Sequence, residues 1–167
     1  GIETLVTSCA ECFRTFALDY ELDDMKVMHT TEFLVEKGFD MGLKTNDEVT
    51  VTYHDPCRLG RQMNIYDEPR DLVGSVEGVN LVEMEHTGED ALCCGVSSMM
   101  SCNENSRALR VQRFDEVRET GADIMLTSCP KCVAHFECLK FEGDPRHDFE
   151  ILDVVSFLAR QIEESRG

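Results

Sequence analysis

The fold turns on a stretch that occurs twice: residues 4–16 read TLVTSCAECFRTF and residues 124–136 read IMLTSCPKCVAHF. Each passes from an apolar, β-type segment through Thr-Ser-Cys-x-x-Cys into a helical pattern, with Phe16 opposite Phe136. The likeness resumes after a loop of different length. There KVMHTTEFLVEKG (26–38) parallels FEILDVVSFLARQIE (149–163), and Phe33-Leu34 stands against Phe157-Leu158. This is a two-copy duplication. The second copy is preceded by a long segment with no upstream counterpart. The chain therefore reads as the back half of a first repeat (residues 1–45) and a complete second repeat (46–167), with Asn46-Asp47-Glu48 at the seam.

Working outward, strands are expected at Thr4–Thr7, Lys26–His29, Val49–His54, Asn80–Met84, Asp123–Thr127 and Phe149–Leu152. Helices are expected at Ala10–Asp19, Thr31–Lys37, Asn103–Thr120, Pro130–Leu139 and Asp153–Glu163. Leu109, Phe114 and Val117 share one face of the longest helix, Gly121 ends it, and Pro130 suits a helix start through its fixed φ and missing N–H. Alternation of this kind predicts an α/β fold: two related βα-type repeats with largely parallel sheets, the first only partly present. In such folds ligands gather where strands end and helices begin. Cys57, Cys9/Cys12 and Cys129/Cys132 all fall at those junctions.

Acidic residues outnumber basic ones 33 to 16, a net charge of −17 over 167 residues. Such a charge repels phosphate backbones, so nucleic acid and anionic membrane surfaces are poor candidate partners. No apolar run is long enough for a membrane span, and no basic start followed by an apolar core marks a signal peptide. Direct membrane insertion is not expected, and the cytoplasm is the expected location, with or without a membrane-bound partner. Gly-x-Gly-x-x-Gly and Walker patterns are absent, as is the ferredoxin run Cys-x2-Cys-x2-Cys-x3-Cys-Pro.

Nine cysteines is an odd number, which argues against a closed disulfide framework in a chain large enough for a hydrophobic core. Metal or redox chemistry in a reducing compartment is the better reading. Cys93 and Cys94 are adjacent, and neighbouring Cα atoms about 3.8 Å apart sit too close for an unstrained bridge. From Cys57 the spacing runs Cys-x35-Cys-Cys-x34-Cys-x2-Cys, giving five thiols: Cys57, Cys93, Cys94, Cys129 and Cys132. One zinc ion or an ordinary cubane takes four protein ligands, so five point to a larger or less regular iron–sulfur cluster. Gly95 removes a side chain where backbone must pass the cluster, and exposed N–H groups there stabilise sulfur charge.

This pattern resembles the cysteine-rich CCG domain, on "VTYHDPCRLGR" (51–61), "ALCCG" (91–95) and "GADIMLTSCPKC" (121–132). The family includes heterodisulfide reductase catalytic subunits. It also includes iron–sulfur subunits of lactate, glycolate and glycerol-3-phosphate oxidising enzymes. The flanks of Cys57 and Cys129 lean toward the heterodisulfide reductase branch. The resemblance implies a noncubane 4Fe-4S cluster on Cys57, Cys93, Cys94, Cys129 and Cys132. It also implies a disulfide substrate placed between two clusters and reduced in one-electron steps. Here a second site would have only Cys9 and Cys12. Partners implied are other electron-transfer subunits, ferredoxin-like or flavin-containing.

Competing readings stand beside these. A structural zinc module would use four of the five thiols. A dithiol oxidoreductase would use Cys129-Pro130-Lys131-Cys132 alone and leave three cysteines unexplained. His54 either serves the site, as a sulfur or substrate contact, or fixes its own loop by hydrogen bonds. Arg58 and Arg61 either offset thiolate charge, orient an anionic substrate or pair with surface acids. Cys102, Cys138 and the Met99-Met100 pair read as core packing. His29, His86, His135 and His147 lack a shared spacing and read as ordinary polar or half-buried residues.

Overall fold

The computed structural model describes residues 1–22, 24–39, 42–96 and 103–165. Strands β1 (Thr4–Thr7) and β2 (Lys26–His29) form a parallel pair, with Thr4 opposite Lys26 and Thr7 opposite His29. Helix α1 (Ala10–Leu18) links them, and α2 (Thr30–Glu36) follows β2. A second sheet has the order β4-β3-β5-β6, all parallel, from β3 (Lys44–His54), β4 (Glu77–Leu81), β5 (Ile124–Thr127) and β6 (Glu150–Asp153). Helices α3 (Gly60–Met63) and α4 (Asp67–Gly74) lie between β3 and β4. α5 (Glu104–Thr120) precedes β5, α6 (Pro130–Phe141) joins β5 to β6, and α7 (Val154–Glu164) follows β6. This is the expected α/β architecture with parallel strands. The order β1-α1-β2-α2 returns as β5-α6-β6-α7, where the sequence repeats.

The sheet separates two cores. Met125 points into one with Phe114, Val117, Phe136 and Leu139, where Ala10 and Phe13 of α1 also pack. Its neighbours Ile124 and Leu126 point into the other with Val51, Tyr53, Leu72, Val154 and Phe157. That is the two-residue alternation of a strand covered on both sides. β5 is buried along its whole length, as a central parallel strand must be.

Helix ends follow local chemistry. Asn103 accepts the Ser106 N–H at 2.9 Å to start α5, and Gly121 ends it in the left-handed region at φ 69°. Asp153 caps α7 through the Val155 N–H at 2.9 Å. His29 caps α2, taking the Thr31 N–H on Nδ1 while Glu32 accepts its own backbone N–H.

Three expectations need correction. β3 starts at Lys44, five residues before the expected Val49, and runs through residues 46–48, and its ladder with β4 changes register between Lys44 and Val49. β4 begins and ends three residues earlier than expected, at Glu77–Leu81, and Glu83 beyond its end is bound by Arg70. α3 and α4 stand where periodicity gave no helix; α4 is short and buries only Pro69, Leu72 and Val73.

Candidate metal centre

The C-terminal ends of β3 and β5 lie side by side, with His54 opposite Thr127. The chain leaving β3 carries Cys57, and the chain leaving β5 carries Cys129 as the residue capping α6, with Cys132 in its first turn. The segment after β4 brings in Cys93 and Cys94. All five thiols line one small pocket, with Glu11, Arg58 and Lys131 around them. Cys94, Cys129 and Cys132 are buried, and Cys57 and Cys93 are half-buried.

The thiols are crowded. Cys132 Sγ donates to Cys94 Sγ at 3.3 Å. Hydrogen bonds from Cys132 and then Cys9 hold the Cys129 thiol down to about 2. Its neighbours move the other way. The contact with Cys93, then burial, pushes Cys57 up, and contacts with Cys129 and Cys94 push Cys132 up. Cys94 is pulled down by Cys132 but pushed up more by Cys93 and burial, to about 12. One thiolate can be accommodated by its neighbours' S–H groups, and a second meets like charge. A bound cation removes that limit, because every thiol can then ionise. The donor set therefore fits a metal centre, and it is richer in sulfur than one tetrahedral ion requires.

Backbone geometry around Cys93-Cys94-Gly95 serves the same end. Gly95 has φ 85°, its N–H points at Cys93 Sγ at 3.4 Å, and a Cβ there would lie 2.6 Å from the Ser106 carbonyl. The glycine is thus required both by backbone angle and by the close passage of α5. His135 corrects an expectation: it is 2% exposed, and its Nδ1 donates to the Cys94 carbonyl at 3.0 Å. Its Nε2 then faces the Ser106 hydroxyl at 3.4 Å.

His54 is 1% exposed, and one of its ring nitrogens lies within 4.8 Å of both Cys94 and Cys132 sulfurs. Its ring meets Phe136 edge-on at 4.9 Å, and Nδ1 has no hydrogen-bond partner among the described residues. Burial, then the Arg113 charge, lowers its pKa to about 3, so the imidazole is neutral. The loop is fixed instead by Asp55, which no motif singles out. Asp55 takes a two-pronged bond from Arg70 at 2.8 and 2.9 Å and the Gly88 N–H at 2.9 Å. Arg70 also binds Glu83 at 2.7 Å and lies over the Tyr53 ring at 4.9 Å. This clamp ties the Cys57 loop to the segment leading into Cys93.

Arg61 is turned to backbone rather than to thiolate or acid. It donates to the Ala91 carbonyl at 2.8 Å and the Glu89 carbonyl at 3.4 Å, a second tie to that segment. Arg58 lines the pocket and donates to Gln62 at 2.9 Å. Cys138 is half-buried rather than core, its thiol turned to the Ala134 carbonyl at 3.5 Å. Cys102 and the Met99-Met100 pair lie outside the described residues. His29 is buried as a helix cap, His86 binds Glu116 at 2.9 Å, and His147 stacks on Phe149 at 5.5 Å.

Cys9 does not stand apart from this centre. It is half-buried and hydrogen-bonds Cys129, which raises its own pKa. An ion pair between Glu11 and Lys131, the same position in the two Thr-Ser-Cys-x-x-Cys copies, joins the motifs beside it. Cys12 is exposed.

A family model described as a cysteine-rich CCG domain matches residues 51–137, which include all five pocket cysteines. The chain belongs to the CCG family. It is 31% identical over 172 residues to a subunit of the dihydromethanophenazine:CoB–CoM heterodisulfide reductase of Methanosarcina acetivorans, covering 97% of this chain and 41% of that one. Identity to a subunit of the fumarate reductase (CoM/CoB) of Methanothermobacter marburgensis is 31% over 163 residues, covering 95% and 32%. A probable iron–sulfur-binding oxidoreductase of Bacillus subtilis is 30% identical over 141 residues, covering 82% and 20%. The chain spans well under half the length of these relatives. Among the described residues no helix is long and apolar enough to cross a membrane.

Proposed function

We propose that Cys57, Cys93, Cys94, Cys129 and Cys132 hold an iron–sulfur cluster of the noncubane 4Fe-4S kind. On this reading the chain is the electron-transferring part of an oxidoreductase of heterodisulfide reductase type. The observation that carries it is the convergence of five thiols on one pocket, one more than a closed tetrahedral site can use. Bound there, the cluster would supply one-electron chemistry for making or breaking a disulfide. Names of relatives as heterodisulfide reductase, fumarate reductase and iron–sulfur oxidoreductase support the class of reaction.

The protein's own residues then have distinct tasks. Cys93 and Cys94 are a two-headed ligand whose turn is set by Gly95, and the Gly95 N–H offsets charge on Cys93 sulfur. His54, neutral and unpartnered at Nδ1 among the described residues, serves as a hydrogen-bond contact to sulfur in the dry floor of the site. Asp55 and Arg61 hold the two cysteine-bearing loops together. Cys9 and Cys12 are a second, partial site that adjoins the first through the contact of Cys9 with Cys129, and electrons are exchanged with other subunits of a larger complex.

Serine substitution tests the ligand set. Cys94→Ser should lose most iron and sulfide while Cys138→Ser keeps both. Full iron and sulfide in Cys93→Ser and Cys94→Ser alike would overturn the assignment. A second reading rests on His54, Cys94 and Cys132 lying within 4.8 Å of one another. With Cys129 they make a mixed nitrogen and sulfur set of the kind structural zinc uses. It would leave Cys57 and Cys93 without a task.

A further inference from the structure

Helix α5 buries two guanidiniums, Arg110 and Arg113, each 0% exposed. Their spacing from Ser106 puts them on the face that also carries Phe114 and Val117. Arginine is almost never fully buried unless paired. Arg113 meets a buried carboxylate, Glu116 at 2.5 Å, and donates to the His86 carbonyl at 2.7 Å, while its Nε and Nη2 have no partner among the described residues. Arg110 meets no such buried carboxylate among the described residues. Its carboxylate is Glu142 at 3.5 Å, which is 35% exposed and already bound by Arg107 at 2.9 Å. Its hydrogen bonds are long, from Nε to the Ser106 carbonyl at 3.4 Å and from Nη1 to the His135 carbonyl at 3.3 Å. Nη2 has no partner among the described residues. Removing a guanidinium from water with so little compensation is strongly unfavourable unless negative charge lies close by.

The position of Arg110 shows where that charge belongs. Both of its carbonyl partners belong to the residues that close on Gly95. Ser106 O would stand 2.6 Å from a Cβ at Gly95, and the His135 ring would stand 3.4 Å from it. His135 also donates to the Cys94 carbonyl. Arg110 therefore lies one residue behind the Cys93-Cys94-Gly95 turn, bracing both of its walls. We propose that Arg110 is the counter-charge of the occupied centre, a positioning residue that holds Ser106 and His135 against the turn and stabilises added negative charge on the thiolate-bound group. The proposal rests on the reading of the five cysteines as ligands.

Opposite effects on the two forms of the protein follow. Without metal, Arg110 is a buried cation with little to offset it among the described residues, and an apolar residue of similar length should serve stability as well. With the centre loaded, loss of the cation should weaken retention and make the reduced state harder to reach.

The experiment compares wild type with Arg110→Met, Arg110→Gln and Arg110→Lys, each reconstituted anaerobically with iron and sulfide. Iron and sulfide content, iron loss to excess chelator, midpoint potential and the melting temperature of the metal-free form are measured. The Met and Gln variants should lose iron about tenfold faster and titrate at a more negative potential. The Lys variant should stay near wild type, and the metal-free Met variant should melt no lower than wild type. Wild-type rates and potentials in both Met and Gln variants would overturn the proposal. So would a metal-free melting temperature that falls as far as the loaded one. If Arg110→Met fails to fold, Arg110→Gln decides, because it keeps a polar N–H donor while removing the charge. If wild type takes up zinc without sulfide, the iron reading fails by itself. Zinc loss then decides for Arg110, with faster loss from the Gln variant in support and equal loss against. Failure of wild type to hold either metal overturns both.

Discussion

Alanine at Gly95 sets two costs against one turn. The backbone there has φ 85°, where an alanine Cβ is strained by roughly 1–2 kcal/mol. The new methyl would also lie 2.6 Å from the Ser106 carbonyl, a backbone atom that no rotamer change can move. Relief requires α5 to shift by several tenths of an ångström, an overpacking cost of roughly 1–3 kcal/mol. Together these amount to roughly 2–5 kcal/mol, or a melting temperature lower by about 4–20 °C in a chain of this size. Gly121→Ala is the matched control. It has φ 69° and nothing within 4 Å of its Cβ, so it carries only the first cost. Thermal melting of the metal-free proteins should place Gly95→Ala well below Gly121→Ala. Reconstituted Gly95→Ala should also retain less iron, because the shift drags His135 and the Cys94 carbonyl with it. Equal melting of the two variants would refute the claim that α5 closes on the turn.

Asp55→Asn should destabilise the protein by about 3 kcal/mol, the low end for breaking a buried pair because Arg70 keeps Glu83. Chemical denaturation checks the size, and iron content checks that the Cys57 loop loosens with it. Burial, against the pull of the Val155 and Ser156 N–H groups, raises the Asp153 carboxyl to about 6 from 3.8. An acid raised on folding contributes stability that is full below its unfolded pKa and lost as pH rises through the folded one. The metal-free protein should therefore lose on the order of 2 kcal/mol between about pH 4 and 6, and Asp153→Asn, still a good cap, should flatten that window in denaturation curves. Limited proteolysis should cut residues 90–100 faster in the metal-free protein, because Cys93 and Cys94 then lose the bound group that anchors them; equal rates would count against metal-dependent ordering.

Much of this was legible in sequence because its signals are local. β1 and β2 fall where Thr4–Thr7 and Lys26–His29 were expected, and the repeat of Thr-Ser-Cys-x-x-Cys foretold two matching β-α-β-α orders. Spacing alone also brought together the five cysteines that the fold places on one pocket. What escaped depends on contacts between distant segments. Asp55 reads as one residue of a loop until Arg70 and Gly88 arrive, and His135 has no motif to mark it until α6 sets it against Cys94. Arg110 and Arg113 did leave a trace, two charges on the apolar phase of a helix with Phe114 and Val117. Periodicity scored on apolar residues alone passes over that trace. The approach of Cys9 to Cys129 joins residues 120 positions apart, and nothing short of the packed sheets reveals it.

The central claim is that five thiols hold one iron–sulfur cluster. Iron, zinc and acid-labile sulfide should be counted in anaerobically purified protein, with an absorption spectrum of the same sample. The account predicts about four iron and four sulfide per chain with broad visible absorption. About one zinc per chain, no sulfide and no colour, unchanged after anaerobic reconstitution with iron and sulfide, would contradict it.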